Sequence, residues 1–170
     1  MIGNLKRLAR AGLAGAIAVM VCFGTSSFAA SFKKDWKAAM KTGIPTNSFL
    51  GPWEGVWKSE GHHVSGPLRC IIKDTGNGNY EAFFHAQFHW FHFSYSAKML
   101  AEKSEKGMIL KGDANLGVLG GHYHYSGETS GDKYVSSYRS PVEYGRLELS
   151  RPKPLANELC PTGGGAAEGE

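Results

Sequence analysis

Charge of one sign is scarce in this chain. Nineteen Lys and Arg stand against fifteen Asp and Glu in 170 residues, a formal +4. Three of those cations, Lys6, Arg7 and Arg10, lie in the first ten residues, and the rest of the chain is close to neutral. No run of like charge and no basic patch is left, which excludes nucleic acid as a partner. A membrane-spanning run is missing too. Residues 11–23 are uncharged and apolar, but as a helix they reach only about 20 Å against a hydrocarbon core of roughly 30 Å. An integral membrane protein is therefore not expected. Catalytic signatures are also absent. There is no Gly-X-Ser-X-Gly elbow, and Gly117, Gly120 and Gly121 are followed by no helix that would make them a phosphate loop. Glu54, Glu60, Glu81 and Glu148 fall on strand patterns, where solvent-facing acids are ordinary. The expectation is a non-enzyme without a cofactor.

Cysteine is sparse, with three residues. Cys22 falls in the N-terminal apolar run, leaving Cys70 and Cys160. Under oxidising conditions these can form one bridge between the C-terminal tail and an early strand. Equally, Cys70 shares a strand face with Leu68 and Ile72, as a small buried hydrophobe does. Both readings stay open.

What is present begins with an address. Basic Lys6, Arg7 and Arg10, the apolar stretch 11–23, and the small-residue stretch ending Ser27-Phe28-Ala29 have the layout of a secretory signal peptide over residues 1–29. Cleavage is expected after Ala29 or Ala30, with export to the periplasm or beyond. About 140 residues remain, enough for one domain with one core. The polar, small-residue end of the tail at 152–170 is expected to be disordered over its last eight positions.

A short amphipathic helix is predicted over residues 31–43. Ser31 can cap it, Phe32, Trp36 and Met40 recur every four residues, and Gly43 followed by Pro45 stops it. After Gly51 everything reads as β. Strands are predicted at 53–60, 68–74, 80–87, 93–102, 108–114, 122–128, 133–140 and 146–151, separated by clusters of Gly, Asn, Asp, Ser and Pro. No linker is long enough for a helical crossover, so sequence neighbours should pair antiparallel. The fold class is all-β: an up-and-down barrel of about eight strands over 51–151, preceded by one short N-terminal helix. One turn follows from length alone. Residues 80–102 hold no Gly, Pro, Asn or Asp, yet as one strand they would run about 75 Å. The chain must fold back, and its least regular stretch is 88–92.

Helix, then "GPWEGVW", then an eight-strand meander resembles the lipocalins and the wider calycin barrels. That family carries a Gly-X-Trp on its first strand, whose Trp plugs the closed end under a basic residue from near the last strand. Gly51-Pro52-Trp53 or Gly55-Val56-Trp57 fits the first role here, and Arg146 or Arg151 the second. The resemblance implies a non-catalytic, ligand-binding barrel. The chain is also similar to small uncharacterised exported bacterial proteins, which implies no activity.

Alternation turns Trp57, Phe84, Tyr95, Tyr123, Tyr125, Tyr134 and Tyr138 inward. They are the candidates to line a cavity for a small, partly apolar ligand, the alternative being that they simply fill the core. A second candidate surface is the rim stretch His89, Trp90, Phe91 and His92, an interaction module for a protein, glycan or membrane partner. The helix precedes strand one and is expected to close the opposite end, leaving a ligand or partner to cover Trp90 and Phe91. All seven histidines (62, 63, 85, 89, 92, 122 and 124) fall near the same end in this meander. Imidazoles there could serve a metal or a haem. Alternation nevertheless turns His85, His122 and His124 outward on strands that are not neighbours, so no metal site is expected.

Overall fold

A computed structural model describes residues 25–43, 48–117 and 120–153 of the protein. One helix, α1 (Thr25–Lys41), precedes β1 (Gly51–Ser59), β2 (Val64–Gly76), β3 (Asn79–Phe88), β4 (Phe91–Lys103), β5 (Met108–Asn115), β6 (His122–Ser130), β7 (Lys133–Arg139) and β8 (Tyr144–Ser150). Each strand pairs antiparallel with its sequence neighbour, and β8 returns to β1 to close a barrel. The predicted meander is the observed one. The leader read over 1–29 lies mostly outside the described residues, as do the tail beyond residue 153 and Cys160, the proposed partner of Cys70.

Strict alternation is what fixes the barrel's inside. Along β7 every second residue is buried, so Tyr134, Ser136 and Tyr138 face in while Val135, Ser137 and Arg139 face out. The same period puts Cys70 and Ile72, Ala82 and Phe84, Ala97 and Met99, Tyr123 and Tyr125, and Leu147 and Leu149 into one core. Two inward glycines make room for large rings. A Cβ on Gly66 would stand 2.8 Å from Trp57 Nε1, and one on Gly145 would stand 2.7 Å from Tyr138 Oη.

The outer wall carries Arg69, Lys73, Lys98, Lys111, Asp113 and Glu148 on its strands. A barrel that spans a bilayer needs an apolar band there. Among the described residues no helix is long and apolar enough to cross a membrane.

The turns follow local chemistry except where a histidine, His63 or His89, takes a positive φ. Asn77 and Gly78 join β2 to β3 with φ of 56° and 74°, as a tight primed hairpin turn demands. Between β3 and β4 the turn is only His89 and Trp90, tighter than the 88–92 stretch expected, so Phe88 belongs to β3 and Phe91 and His92 to β4. His89 takes φ 53° without being Gly or Asn. Its ring meets Phe88 edge-on at 4.5 Å, and its carbonyl accepts from Gln87 Nε2 at 2.8 Å. These contacts hold an unfavourable backbone in place.

The end of the barrel where β1 starts is sealed. Trp53 is fully buried and donates from Nε1 to the Phe49 carbonyl at 2.9 Å. The Arg151 guanidinium lies 3.8 Å from the centre of the Trp53 ring and donates to the carbonyls of Pro52 and Ser48. Of the two Gly-X-Trp triplets and the two arginines, the structure pairs Trp53 with Arg151. Arg146 instead faces out and binds Glu60 at 2.8 Å.

The helix corrects two expectations. It begins at Thr25 and ends at Lys41, earlier at both ends than 31–43, with Gly43 at φ 85° just beyond it. Nor does it close the barrel end. Phe32 stacks on His85 at 5.1 Å, Arg69 lies 4.9 Å over the Trp36 ring, and Lys73 donates to Asp35 at 2.7 Å. Those partners all stand on the outer faces of β2 and β3, so α1 lies along the outside of the wall. Ile71, between Arg69 and Lys73, faces outward by alternation yet is 2 % exposed, which gives the apolar stripe of the helix something to bury against.

Candidate functional site

The other end of the barrel, reached by the turns at 60–63, 89–90, 116–121 and 140–143, is ringed by aromatic side chains. Trp57, Phe88, Phe93 and Tyr95 all point inward there and are all only partly buried. Trp57 donates from Nε1 to the Gln87 carbonyl at 3.1 Å, which fixes its ring 5.9 Å from that of Phe88. Phe93 stacks 6.1 Å from Tyr95, which stacks 5.0 Å from Phe84.

Below them runs a continuous pile of rings. Phe84, Tyr95 and Tyr125 stack at 5.0–6.4 Å, and Tyr123, Tyr125 and Tyr138 meet at 6.1–6.4 Å. All seven predicted inward residues therefore do face in, but at different depths. Phe84 and Tyr134 are completely buried, Tyr123, Tyr125 and Tyr138 nearly so, while Trp57 and Tyr95 reach the mouth. Phe88 and Phe93 belong with them. Phe93 has the parity of Tyr95, Ala97 and Met99, and that signal was available; Phe88 was hidden by its place in the expected turn.

Burial governs the phenols. It pushes Tyr95 well above the ordinary tyrosine range, with a further push from neighbouring Tyr125, and it raises Tyr123, Tyr125, Tyr134 and Tyr138 as well. All are neutral donors at any ordinary pH. Tyr138 donates to the Lys58 carbonyl at 3.2 Å. Tyr134 Oη is different: it is fully buried and hydrogen-bonded to nothing. Its near neighbour Ser136, whose hydroxyl donates to the Ser137 carbonyl at 3.1 Å, tempers the rise in its pKa. Cys70 lies in the same interior, and burial raises its thiol far above the reactive range.

At the rim, Trp90 is 78 % exposed and packs at 4.2 Å only on Phe91 beside it. His89 and His92 flank them, with His62 and His63 in the first turn and His122 opening β6. The histidines do not converge. His85 stands down the wall, stacked between Phe32 and His92 (5.5 Å) and held by Ser94 Oγ at 2.7 Å from Nδ1. His124 is exposed on β6, where its Nδ1 bonds the Asp113 carboxylate, and His62 sits 3.2 Å from Glu143. Among the described residues no three His, Cys, Asp or Glu side chains come together as a metal site would require. A broad cleft over the outer faces of β4, β5 and β6 is lined by Lys98, Lys111, Asp113, His124 and Ser126, a mixed-charge surface.

Comparison of the chain with protein families, with curated proteins and with solved structures finds no match.

Proposed function

We propose that the protein is an exported, calycin-type barrel that binds a small, partly apolar molecule at its open end and catalyses nothing. The supporting observation is the ring of Trp57, Phe88, Phe93 and Tyr95, inward-facing yet partly open to water, above stacked tyrosines. Aromatic faces gathered at one end of the barrel and left partly open to water are unfavourable there and favourable against an apolar solute. The calycin assignment draws on the sealed end, where Trp53 fills the bottom under Arg151 as the family pattern asks. Export draws on the layout of the first 29 residues.

An environment-sensitive apolar dye tests this reading. It should gain fluorescence on mixing with the protein and be displaced by small apolar competitors. Tyr95→Ala and Trp57→Ala should weaken dye binding about tenfold, the loss expected from one aromatic contact of about 1.4 kcal/mol. Dye uptake that is absent, or that is unchanged in both variants while their circular dichroism stays native, would sink the proposal.

A further inference from the structure

One strand of the barrel outruns its neighbour, and the overhang leaves main chain unpaired. β4 pairs with β3 along Phe91–Leu100, but with β5 only along Lys98–Lys103. The stretch Phe91–Ala97 stands at the open end with no strand on its β5 side. The short His89–Trp90 turn sets which way its main chain points. Phe88 and Phe91 close that hairpin by bonding to each other, so Phe93 and Tyr95 also bond to β3. His92, Ser94 and Ser96 therefore direct their N–H and C=O groups away from β3. Lys98 has the same parity, and its carbonyl does aim at β5: a Cβ on Gly112 would stand 2.5 Å from it.

The two sides of the hairpin are finished differently. On the β2 side, pairing stops at Leu68 because Pro67 has no N–H to give, and the Gln87 carbonyl accepts from the Trp57 indole at 3.1 Å instead. On the β5 side, no backbone group among the described residues bonds to the overhang. Gly120 of the β5–β6 turn abuts Tyr123 and Val142, so that turn leans toward β7 and β8 and away from β4.

Sheet edges are ordinarily blunted by Lys, Pro or a bulge. Residues 91–97, "FHFSYSA", hold no Lys, Pro, Gly, Asp or Glu, whereas the paired part of β4 carries Lys98, Glu102 and Lys103. A row of alternating donors and acceptors is met by an extended strand. This edge is complementary to itself. Turned about a two-fold axis through Phe93, His92 of one copy meets Ser94 of the other, and Phe91 meets Tyr95. Aromatic rings then pair across the seam on one face, and no like charges stand opposite each other.

We infer that the overhang is a self-association surface: two copies pair antiparallel along Phe91–Tyr95 and join their β3–β4 hairpins into one continuous sheet. His92 and Ser94 of each copy exchange main-chain hydrogen bonds with Ser94 and His92 of the other. The pairing stands whether or not a small ligand enters the mouth.

Analytical ultracentrifugation of the full chain over a concentration series tests this. The wild type should pass from monomer to dimer as concentration rises. Ser94→Pro removes an edge N–H without touching the bonds to β3, and should weaken the dimer about tenfold or more. Ser94→Ala keeps that N–H, loses only the hydroxyl that meets His85, and should dimerise as the wild type does. The register has its own readout, which needs no proline. A non-hydrogen-bonded antiparallel pair sets Cα atoms about 4.5 Å apart, within reach of a disulfide. On oxidation, Phe93→Cys should form crosslinked dimers above the wild-type level, and Tyr95→Cys should not. A chain that stays monomeric to its solubility limit, a dimer indifferent to Ser94→Pro, or equal crosslinking at both cysteines would overturn the inference. So would a dimer lost in Leu100→Ser, exposed on the outer wall. Amides of His92 and Ser94 that resist exchange in the monomer would overturn it too, by marking another segment of the same chain as the occupant.

Discussion

Three of the four tryptophans stand in three different environments, and a single substitution at each separates them. Trp53 is wholly buried, hydrogen-bonded and covered by Arg151. Trp53→Ala should cost about 3–5 kcal/mol, as large aromatic truncations in cores do. Trp90 has water on most of its surface, and Trp90→Ala should cost less than about 1 kcal/mol. Trp57 is half-buried at the mouth and should fall between them. Denaturant titration of the three variants checks the order. The unpaired phenol of Tyr134 predicts the opposite sign. An isolated buried hydroxyl is destabilising by about 1–3 kcal/mol, and Tyr134→Phe removes it while keeping the ring against Trp53 at 5.9 Å. The variant should be as stable as the wild type or more so, and a loss above about 1 kcal/mol would show that the hydroxyl has a partner. Sequence alone could not have told Trp53 from Trp57. They are four residues apart on one strand and share a face, so alternation treats them alike; only the barrel's ends, set by the pairing of β1 with β8, distinguish plug from mouth.

Elements were legible where their two faces differ in polarity. The strands show clear alternation, and the β3–β4 turn followed from chain length although no turn residue marks it. The seat of α1 was not legible, because the wall beneath it uses outward-facing Ile71 and His85, positions that alternation assigns to solvent. That contact is also where pH should act. His85 is held below its ordinary 6.5, first by burial and then by the positive charge of neighbouring His92, Arg69 and Lys33. Asp35 on the helix is engaged by Lys73, and Phe32 and Ser94 are the uncharged groups against the imidazole. The folded state thus prefers neutral His85. Below pH 6.5 the unfolded chain takes up the proton first, so stability present above that value is lost as pH falls toward the lower folded pKa. Acidification should loosen α1 from the wall, seen as faster amide exchange over residues 31–41. His85→Phe should flatten that pH dependence; an unchanged profile would place its origin elsewhere.

In the whole molecule, seven of the eight strand pairings join neighbours through turns and close small loops. The eighth is different in kind. Where β8 meets β1, Lys58 Nζ bonds Glu148 Oε2 at 2.6 Å across 90 residues of sequence. The carboxylate is partly exposed, and Lys58 lowers its pKa, chiefly through that hydrogen bond, but a surface pair of this sort adds little stability. What the seam demands is chain entropy: joining ends that far apart costs about 4 kcal/mol by the logarithmic loop law. A sheet can therefore grow hairpin by hairpin while its two edges remain apart, and the last event is their meeting. Contacts made only at that step are absent from the folding barrier and appear in the unfolding one. Gly145 sits on this seam, where a Cβ would meet Tyr138 and the β1 backbone. Gly145→Ala should therefore accelerate unfolding in stopped-flow experiments by tenfold or more, for an overpacking cost of about 1–3 kcal/mol, and leave the refolding rate nearly unchanged. A slowed refolding arm would mean that the barrel closes early. Late closure gives the molecule a lifetime set by one edge: until the seam parts, the ring has no strand free along its whole length, and once it does, β1 and β8 become open edges to which other chains can add.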